Sequence, residues 1–417
     1  MAAPRALYVH VPYCVSLCPY CDFVVYAGAA ARGPRNRVAA FVEALRVEIG
    51  LRADALDSRF GPPGTAGRPP VDSLYLGGGT PSLLDPGVVA GLIQLVDLRF
   101  GLVGDAEVTL EANPGPDERG DPVAWREAGV TRISFGAQSL DVAELQRLGR
   151  RHSPTDVADA VVGARAAGLT SINLDLLYDV PDQSLASWQR SLDGALGLAP
   201  DHLSLYALTL DDPSGEGLTG PSGDHLPTTA GARRWRDRAK PNQDEDRAAA
   251  MYELASLRLA AAGWRGYEIS NWARRGHECR HNLTYWQRLP YEAVGPGAHA
   301  FDGLTRRWNA ARFDAYLAAL RPTDGTVPRL PPGGSEKLDP AIANAEAAIL
   351  GLRTDRGLAA RAADAPPFRA ALAWALEEDL IVSAAESRLV LTTRGRLLSN
   401  ELFERLLEVV DKGSPAR

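Results

Sequence analysis

Residues 71–100 read VDSLYLGGGTPSLLDPGVVAGLIQLVDLRF. Positions 73–76 form a short apolar run of strand type, Gly77-Gly78-Gly79-Thr80-Pro81 interrupts it, and 87–100 carries apolar residues at helical spacing. A strand, a glycine turn and a helix in that order make a βα unit. The alternation recurs outward. Strand-like runs at 6–10, 107–111, 132–135, 171–177 and 202–208 are interleaved with helical runs at 34–52, 122–128, 141–148, 155–167 and 184–196. Six such strands without a reversed hairpin predict an α/β fold with a parallel sheet. That sheet closes wholly or partly into a (β/α) barrel, and a doubly wound open sheet is the competing architecture.

Beyond the sixth strand the pattern loosens. Stretches 59–71 and 211–246 read as loops, 248–262 as a helix, and 264–301 as an aromatic, Gly- and His-rich segment without a clear period. Residues 321–336 form a Pro/Gly linker. From 339 the chain is Ala/Leu-rich and helical, with short strands at 380–383 and 388–391, which predicts a small winged-helix-like unit. The expected division is a barrel at 1–215, a connecting region at 216–325 that completes the core, and the small unit at 335–410. Residues 371–379 of that unit hold three acids and no base, so it lacks a basic recognition face and nucleic acid is not an expected partner.

The whole chain supports this. It has 417 residues, a formal net charge of −7, 45% hydrophobic and 23% charged residues, which excludes disorder and collagen and gives no basic excess. No run of about 18 apolar residues occurs and residues 1–10 carry no signal-peptide pattern. With four cysteines, Cys14, Cys18, Cys21 and Cys279, the expected compartment is a reducing cytoplasm, where clustered thiols bind metal or do redox work.

Three features carry chemistry. Cys14-Val-Ser-Leu-Cys18-Pro-Tyr-Cys21 follows the first strand, and three thiolates so close can converge on one metal centre. Structural zinc wants four ligands and the fourth cysteine is remote, whereas a four-iron cluster with one open iron takes three. A redox pair at Cys18 and Cys21 leaves Cys14 unexplained, and a c-type heme site needs His where Asp22 stands. The glycine run lacks the third glycine of a dinucleotide fingerprint and the lysine of a P-loop. It is either a tight turn or a place where backbone approaches a ligand. Finally, Glu111, Gln138 and Asp175 lie at strand ends, which in a β/α barrel face the ligand-binding mouth.

Together these residues carry a family resemblance. Cys-x3-Cys-x2-Cys after Tyr8-Val-His10-Val-Pro12-Tyr13, then Gly-Gly-Gly-Thr-Pro, resembles radical S-adenosylmethionine proteins. Ser134-x-Gly136-x-Gln138-Ser139 and Asn173-x-Asp175-Leu-x-Tyr178 narrow the likeness to the oxygen-independent coproporphyrinogen III oxidase family. The resemblance implies a partial barrel of the radical SAM type. It further implies that Cys14, Cys18 and Cys21 hold a 4Fe–4S cluster whose open iron is chelated by S-adenosylmethionine, that Tyr8 and Tyr20 sit beside cluster and cofactor, that Gly78, Gly79 and Thr80 meet the methionine amine, and that Glu111, Gln138, Arg150 and Asp175 are polar cofactor contacts.

Two features separate the chain from the oxidases. Phe23 stands where they carry a further cysteine, and His281-Asn282-Leu-Thr-Tyr285-Trp286 resembles the signature of the family's heme-chaperone branch. Tyr267-Glu268-Ile-Ser270-Asn271-Trp272 and Gly295-x-Gly297-x-His299 also resemble that branch. This implies a chaperone that binds heme and passes it to an acceptor hemoprotein, such as a respiratory enzyme at the membrane, with a homodimer as a further expectation. The alternative is oxidative decarboxylation of coproporphyrinogen III, and no catalytic residue is assigned. On the residues themselves, His281 is either a heme ligand with Tyr285 and Trp286 packed on the macrocycle, or a satisfied histidine in an aromatic core. His277 and Cys279 lie nearby but outside the signature. Asp179 stands where the family usually has glycine.

Overall fold

The computed structural model describes residues 2–30, 36–323, 325–364 and 367–411. Six parallel strands form its centre: β1 (Ala6–Val11), β2 (Val71–Gly78), β3 (Leu102–Ala112), β4 (Arg132–Gln138), β5 (Ser171–Tyr178) and β6 (His202–Ala207). They are neighbours in chain order. A doubly wound sheet reverses its order after the first strands; this one does not, which settles the competing architectures in favour of barrel winding. The sheet is open. Tyr291–Val294 adds parallel to β1, and His299–Phe301, Thr305–Asn309 and Gly333–Lys337 follow antiparallel. On the other edge Asn271–Ala273 and Arg265–Gly266 follow β6.

Period-two alternation sorts each strand into two faces. Leu74, Leu76, Leu110, Ile133, Phe135, Ile172, Leu174, Leu203 and Leu205 face outward into the main hydrophobic core. The helices Val38–Phe60, Pro86–Phe100, Pro154–Ala166 and Leu185–Gly197 bury Phe41, Val89, Val157 and Trp188 in that same core. The helix starts are defined by side chains. Asp85 accepts from Gly87 N ahead of Pro86, and Ser153 with Asp156 forms a capping box. The alternate residues point inward and are polar: Tyr75, Glu111, Ser134, Asn173, Asp175 and Ser204 all line the interior. Closed eight-stranded barrels fill this space with packed branched side chains; here it is a lined well.

The expected helix start at Pro34 lies outside the described residues. The helix itself runs Val38–Phe60, past the expected loop start at 59. The expected loop at 211–246 contains a helix, Ala230–Ala239, capped by Thr229. Its sequence is basic and has no apolar stripe, so periodicity could not show it. The aperiodic 264–301 segment resolves into short strands and the helix Arg280–Trp286, and part of the 321–336 linker is the edge strand Gly333–Lys337. The large sheet therefore draws on residues as far as Lys337.

The C-terminal unit has its own core around Leu352, Leu372, Leu402 and Leu406. Its helices Pro340–Leu352, Arg369–Glu377 and Ser399–Asp411 flank a three-stranded sheet. The third strand, Leu358–Ala359, was not foreseen. Arg396 ties this unit to the barrel by donating to Glu268 O at 2.9 Å and Gly266 O at 3.0 Å. No helix among the described residues is long and apolar enough to cross a membrane.

Candidate functional site

Loops at the C-terminal ends of the strands converge on one cavity of about 620 Å³. Cys14, Cys18, Tyr20 and Cys21 line it from the loop after β1. Gly78, Gly79 and Thr80 come from the end of β2, and Glu111, Gln138, Arg150 and Asp175 complete the wall. Eleven of the twelve sequence-derived mouth residues thus share one surface. Tyr8 does not line it. Its hydroxyl meets His10 Nδ1 at 3.1 Å, while His10 Nε2 meets Val24 O at 2.7 Å. Burial lowers the His10 pKa to about 4, so the ring is neutral. The carbonyl must accept, so Nε2 carries the proton and Nδ1 accepts from Tyr8. Tyr8 acts on the cysteine loop through His10.

The thiols are held, not free. Thr80 Oγ1 donates to Cys14 Sγ at 3.5 Å and Arg150 Nη1 to Cys18 Sγ at 3.4 Å. Burial, with the neighbouring Cys18 adding, pushes the Cys14 thiol up to about 11. Cys21 is also pushed up, by burial first and then by Cys18 and Cys14. Three mutually repelling thiols in a half-buried loop fit a polycationic centre, which inverts this logic and takes them as thiolates.

Sequence reasoning missed what clamps this loop. Arg236, buried on the unforeseen helix Ala230–Ala239, donates to Pro19 O at 3.3 Å, Tyr20 O at 3.2 Å and Cys21 O at 3.1 Å, and also reaches Asp211 O. Trp235 beside it packs on Tyr20 at 6.4 Å. Asn113 was also missed; it donates to Thr80 Oγ1 at 3.2 Å and Glu118 Oε1 at 3.1 Å, and accepts from Arg150.

The glycine run is a close backbone approach as well as a turn. Gly78 has φ +110°, and a Cβ there would strike the His10 ring; one on Gly79 would lie 2.6 Å from Tyr13 O. Gly78 N donates to Glu111 Oε2 at 2.8 Å, and Tyr75 OH to Glu111 Oε1 at 2.8 Å. Burial, reinforced by Asp175, raises Glu111 to about 7 against the Tyr75 bond. Burial raises Asp175 too, although Ser134 at 3.1 Å and Asn173 at 2.7 Å donate to it. Two buried carboxylates with raised pKa are suited to an ammonium and to hydroxyl donors. Arg150 also donates to Gly136 O at 2.8 Å, and its Nε is buried without a partner. Phe23 is 63% exposed at the rim.

Of the heme-signature helix Arg280–Trp286, Asn282 lines the cofactor cavity, whereas His281, Tyr285 and Trp286 do not; the helix packs against β2 and takes Glu107 of β3 at its first turn. His281 is 1% exposed; Ser73 Oγ lies 2.9 Å from its Nδ1 and Tyr285 OH 2.7 Å from its Nε2. Burial lowers its pKa to about 3. Its ring packs 5.0 Å from both Tyr75 and Tyr285. Trp286 lies under Arg353 at 4.9 Å, with its buried indole N–H unpartnered. Cys279 is fully buried with its thiol 3.4 Å from Glu107 Oε1. Both ring nitrogens of His281 thus lie within hydrogen-bond distance of a hydroxyl. Asp179, the departure from glycine, has φ +54°, and Arg247 Nε binds its Oδ1 at 2.9 Å, so an ion pair holds a non-glycine residue in the left-handed region.

A family model described as the Radical SAM superfamily matches residues 8–192. The heme chaperone HemW of Mycobacterium tuberculosis is 39% identical over 405 residues, covering 97% of this chain and 95% of that protein. HemW of Bacillus subtilis is 30% identical over 97% of this chain and 99% of its own length. HemW of Escherichia coli is 37% identical over 71% of this chain and 70% of its own. Among solved structures, the radical SAM enzyme coproporphyrinogen III oxidase (HemN) of Escherichia coli superposes with a TM-score of 0.76 at 22% identity. It covers 97% of this chain and 90% of its own, a likeness of fold. With full-length identity at this level, the chain belongs to the HemW family of radical SAM proteins.

Proposed function

We propose that the protein is a heme chaperone, which binds heme and hands it to an acceptor hemoprotein, on a scaffold that carries a 4Fe–4S cluster and S-adenosylmethionine. The observation that carries this is full-length similarity to heme chaperones, with the His281-Asn282-x-x-Tyr285-Trp286 helix included. Cys14, Cys18 and Cys21 would hold the cluster, which would supply a chelation point for the cofactor and a single electron. Around it, Gly78, Gly79 and Thr80 receive the cofactor's amine, Glu111 and Asp175 accept from ammonium or ribose hydroxyls, and Arg150 takes a carboxylate. Gln138 and Tyr20 supply further contacts, and Tyr8 positions the loop through His10. His281 takes the heme iron through Nε2, which first has to leave the Tyr285 hydroxyl, and Tyr285 and Trp286 then pack on the porphyrin. The acceptor is a hemoprotein such as a respiratory enzyme at the membrane, the compartment is the cytoplasm, and the protein works as a homodimer.

An anaerobic preparation tests this in two assays. Heme titration should give a saturable Soret change at one heme per chain, and coproporphyrinogen III should not be decarboxylated. Turnover of coproporphyrinogen, or heme uptake without saturation, overturns the reading.

A further inference from the structure

The polar lining of the barrel continues below the cofactor cavity, and Arg132 stands where the two ends meet. It is 3% exposed, at the start of β4, and its Nε has no partner. Among the described residues its guanidinium makes no hydrogen bond and no ion pair. The acid beside it is occupied: Glu107 Oε1 accepts from His281 N at 3.0 Å and Oε2 from Arg280 N at 3.1 Å. Glu107 supports the Arg132 charge through the field without bonding to it, so the buried guanidinium keeps N–H donors open to an anion.

Arg132 also walls a second cavity, of about 640 Å³, at the base of the barrel. Ser171 lines the same cavity, 8% exposed, with its hydroxyl unpartnered. Two of the other arginines there are already paired, Arg265 with Asp355 and Glu278, and Arg280 with Asp105 at 3.2 Å. Arg275 and Arg356, both exposed, form no ion pair among the described residues and also line this cavity. Arg280 and Leu283 of the signature helix line it as well.

We propose that this base cavity seats the carboxylates of a porphyrin cargo, one on Arg132 and Ser171 and the other on Arg275 and Arg356. The proposal rests on the heme-chaperone reading and adds where the cargo's propionates lie. One buried and one exposed cationic position, beside the signature helix, suit a ligand with two carboxylates rather than a single phosphate.

The test titrates the full-length protein with heme and with heme dimethyl ester, whose propionates are neutral. The wild type should bind heme roughly tenfold to a hundredfold more tightly than the diester, the weight of a charge-assisted hydrogen bond. Arg132→Gln should lose most of that preference through weaker heme binding, with diester affinity unchanged. Arg356→Gln, at an exposed position where folding is not at risk, should lose part of it. Equal wild-type affinity for the two porphyrins, or variants that weaken both alike, overturns the seat and leaves the chaperone reading standing. Failure of the wild type to bind either porphyrin overturns both.

Discussion

The two ends of this barrel are built from the same strands, yet their polar residues are in opposite states. At the mouth, the side chains are left with capacity. The thiols of Cys14 and Cys21 are pushed up, Glu111 is raised to about 7, and Arg150 has a buried unpartnered Nε. At the base, most groups satisfy one another. His202 bridges Asn173 Oδ1 at 2.6 Å and Tyr267 OH at 2.8 Å, His281 bridges Ser73 and Tyr285, and Glu107 caps the signature helix. A network complete in itself specifies the fold; one left incomplete is waiting for a ligand. By that measure Arg132 belongs with the mouth, although it lies nearer the base.

The largest effect that separates the two ends concerns the thiols. Single replacement of Cys14, Cys18 or Cys21 by Ala should abolish most iron incorporation after anaerobic reconstitution. Cys279→Ala, at the base, should leave it intact, since that thiol is buried beside Glu107 and away from the mouth. Iron content and visible absorption read both results. Full iron in each of the three mouth variants removes the assignment, and loss of iron in Cys279→Ala removes the contrast.

A second difference lies in pH. Glu111 titrates near 7 because burial and Asp175 disfavour its charge. S-adenosylmethionine affinity should therefore fall about tenfold between pH 8 and pH 6 as the carboxylate protonates, and Glu111→Gln should flatten the profile. The stability effect has the opposite sign. Burial favours the protonated acid, so the contribution is present below the ordinary carboxylate range and is lost as pH rises through 7. At pH 8 the charged group costs about 3 kcal/mol, which Glu111→Gln relieves. Thermal melts of wild type and variant at pH 5 and pH 8 check the sign. At the base, the His281 pKa is lowered to about 3 by burial, so heme binding there should not vary between pH 6 and pH 8.

The mouth was legible in the sequence because its residues sit on motifs with fixed spacing, and because a parallel α/β order places every strand's C-terminal end on one side. The barrel's polar well was not. Ser134 and Asn173 stood in motifs, but their bonds to each other and to Asp175 exist only once neighbouring strands set them side by side, and Arg132 was given no role. The Arg236 clamp escaped for a different reason. A helix rich in arginine, with Ala232 and Ala239 among its few buried positions, gives no hydrophobic period, and its three bonds to the cysteine loop span more than two hundred residues of sequence. The third wing strand, two residues long, lies below what pattern can detect. His281 was legible as a signature but not as a position. A motif names residues and says nothing of whether their lone pairs are already taken.

That last point yields the smallest predicted effect. If heme iron takes His281 through Nε2, the 2.7 Å contact to the Tyr285 hydroxyl must break first. A net hydrogen bond is worth about 0.5–1.5 kcal/mol. Tyr285→Phe removes this competitor and keeps the ring that packs 5.0 Å from His281 and 4.5 Å from Tyr291. The variant should therefore bind heme about twofold to tenfold more tightly. The free imidazole nitrogen also loses a partner inside a buried site, so the unliganded protein should melt slightly lower while its heme complex does not. His281→Ala should weaken heme binding, and adding Tyr285→Phe to it should change nothing further, because the hydroxyl acts only through the imidazole. Soret titrations of the two single variants and the double variant read the cycle. Unchanged or weaker heme affinity in Tyr285→Phe means that the iron does not take Nε2. His281 is then a structural member of the base network, and the contrast between the two ends extends to the signature itself.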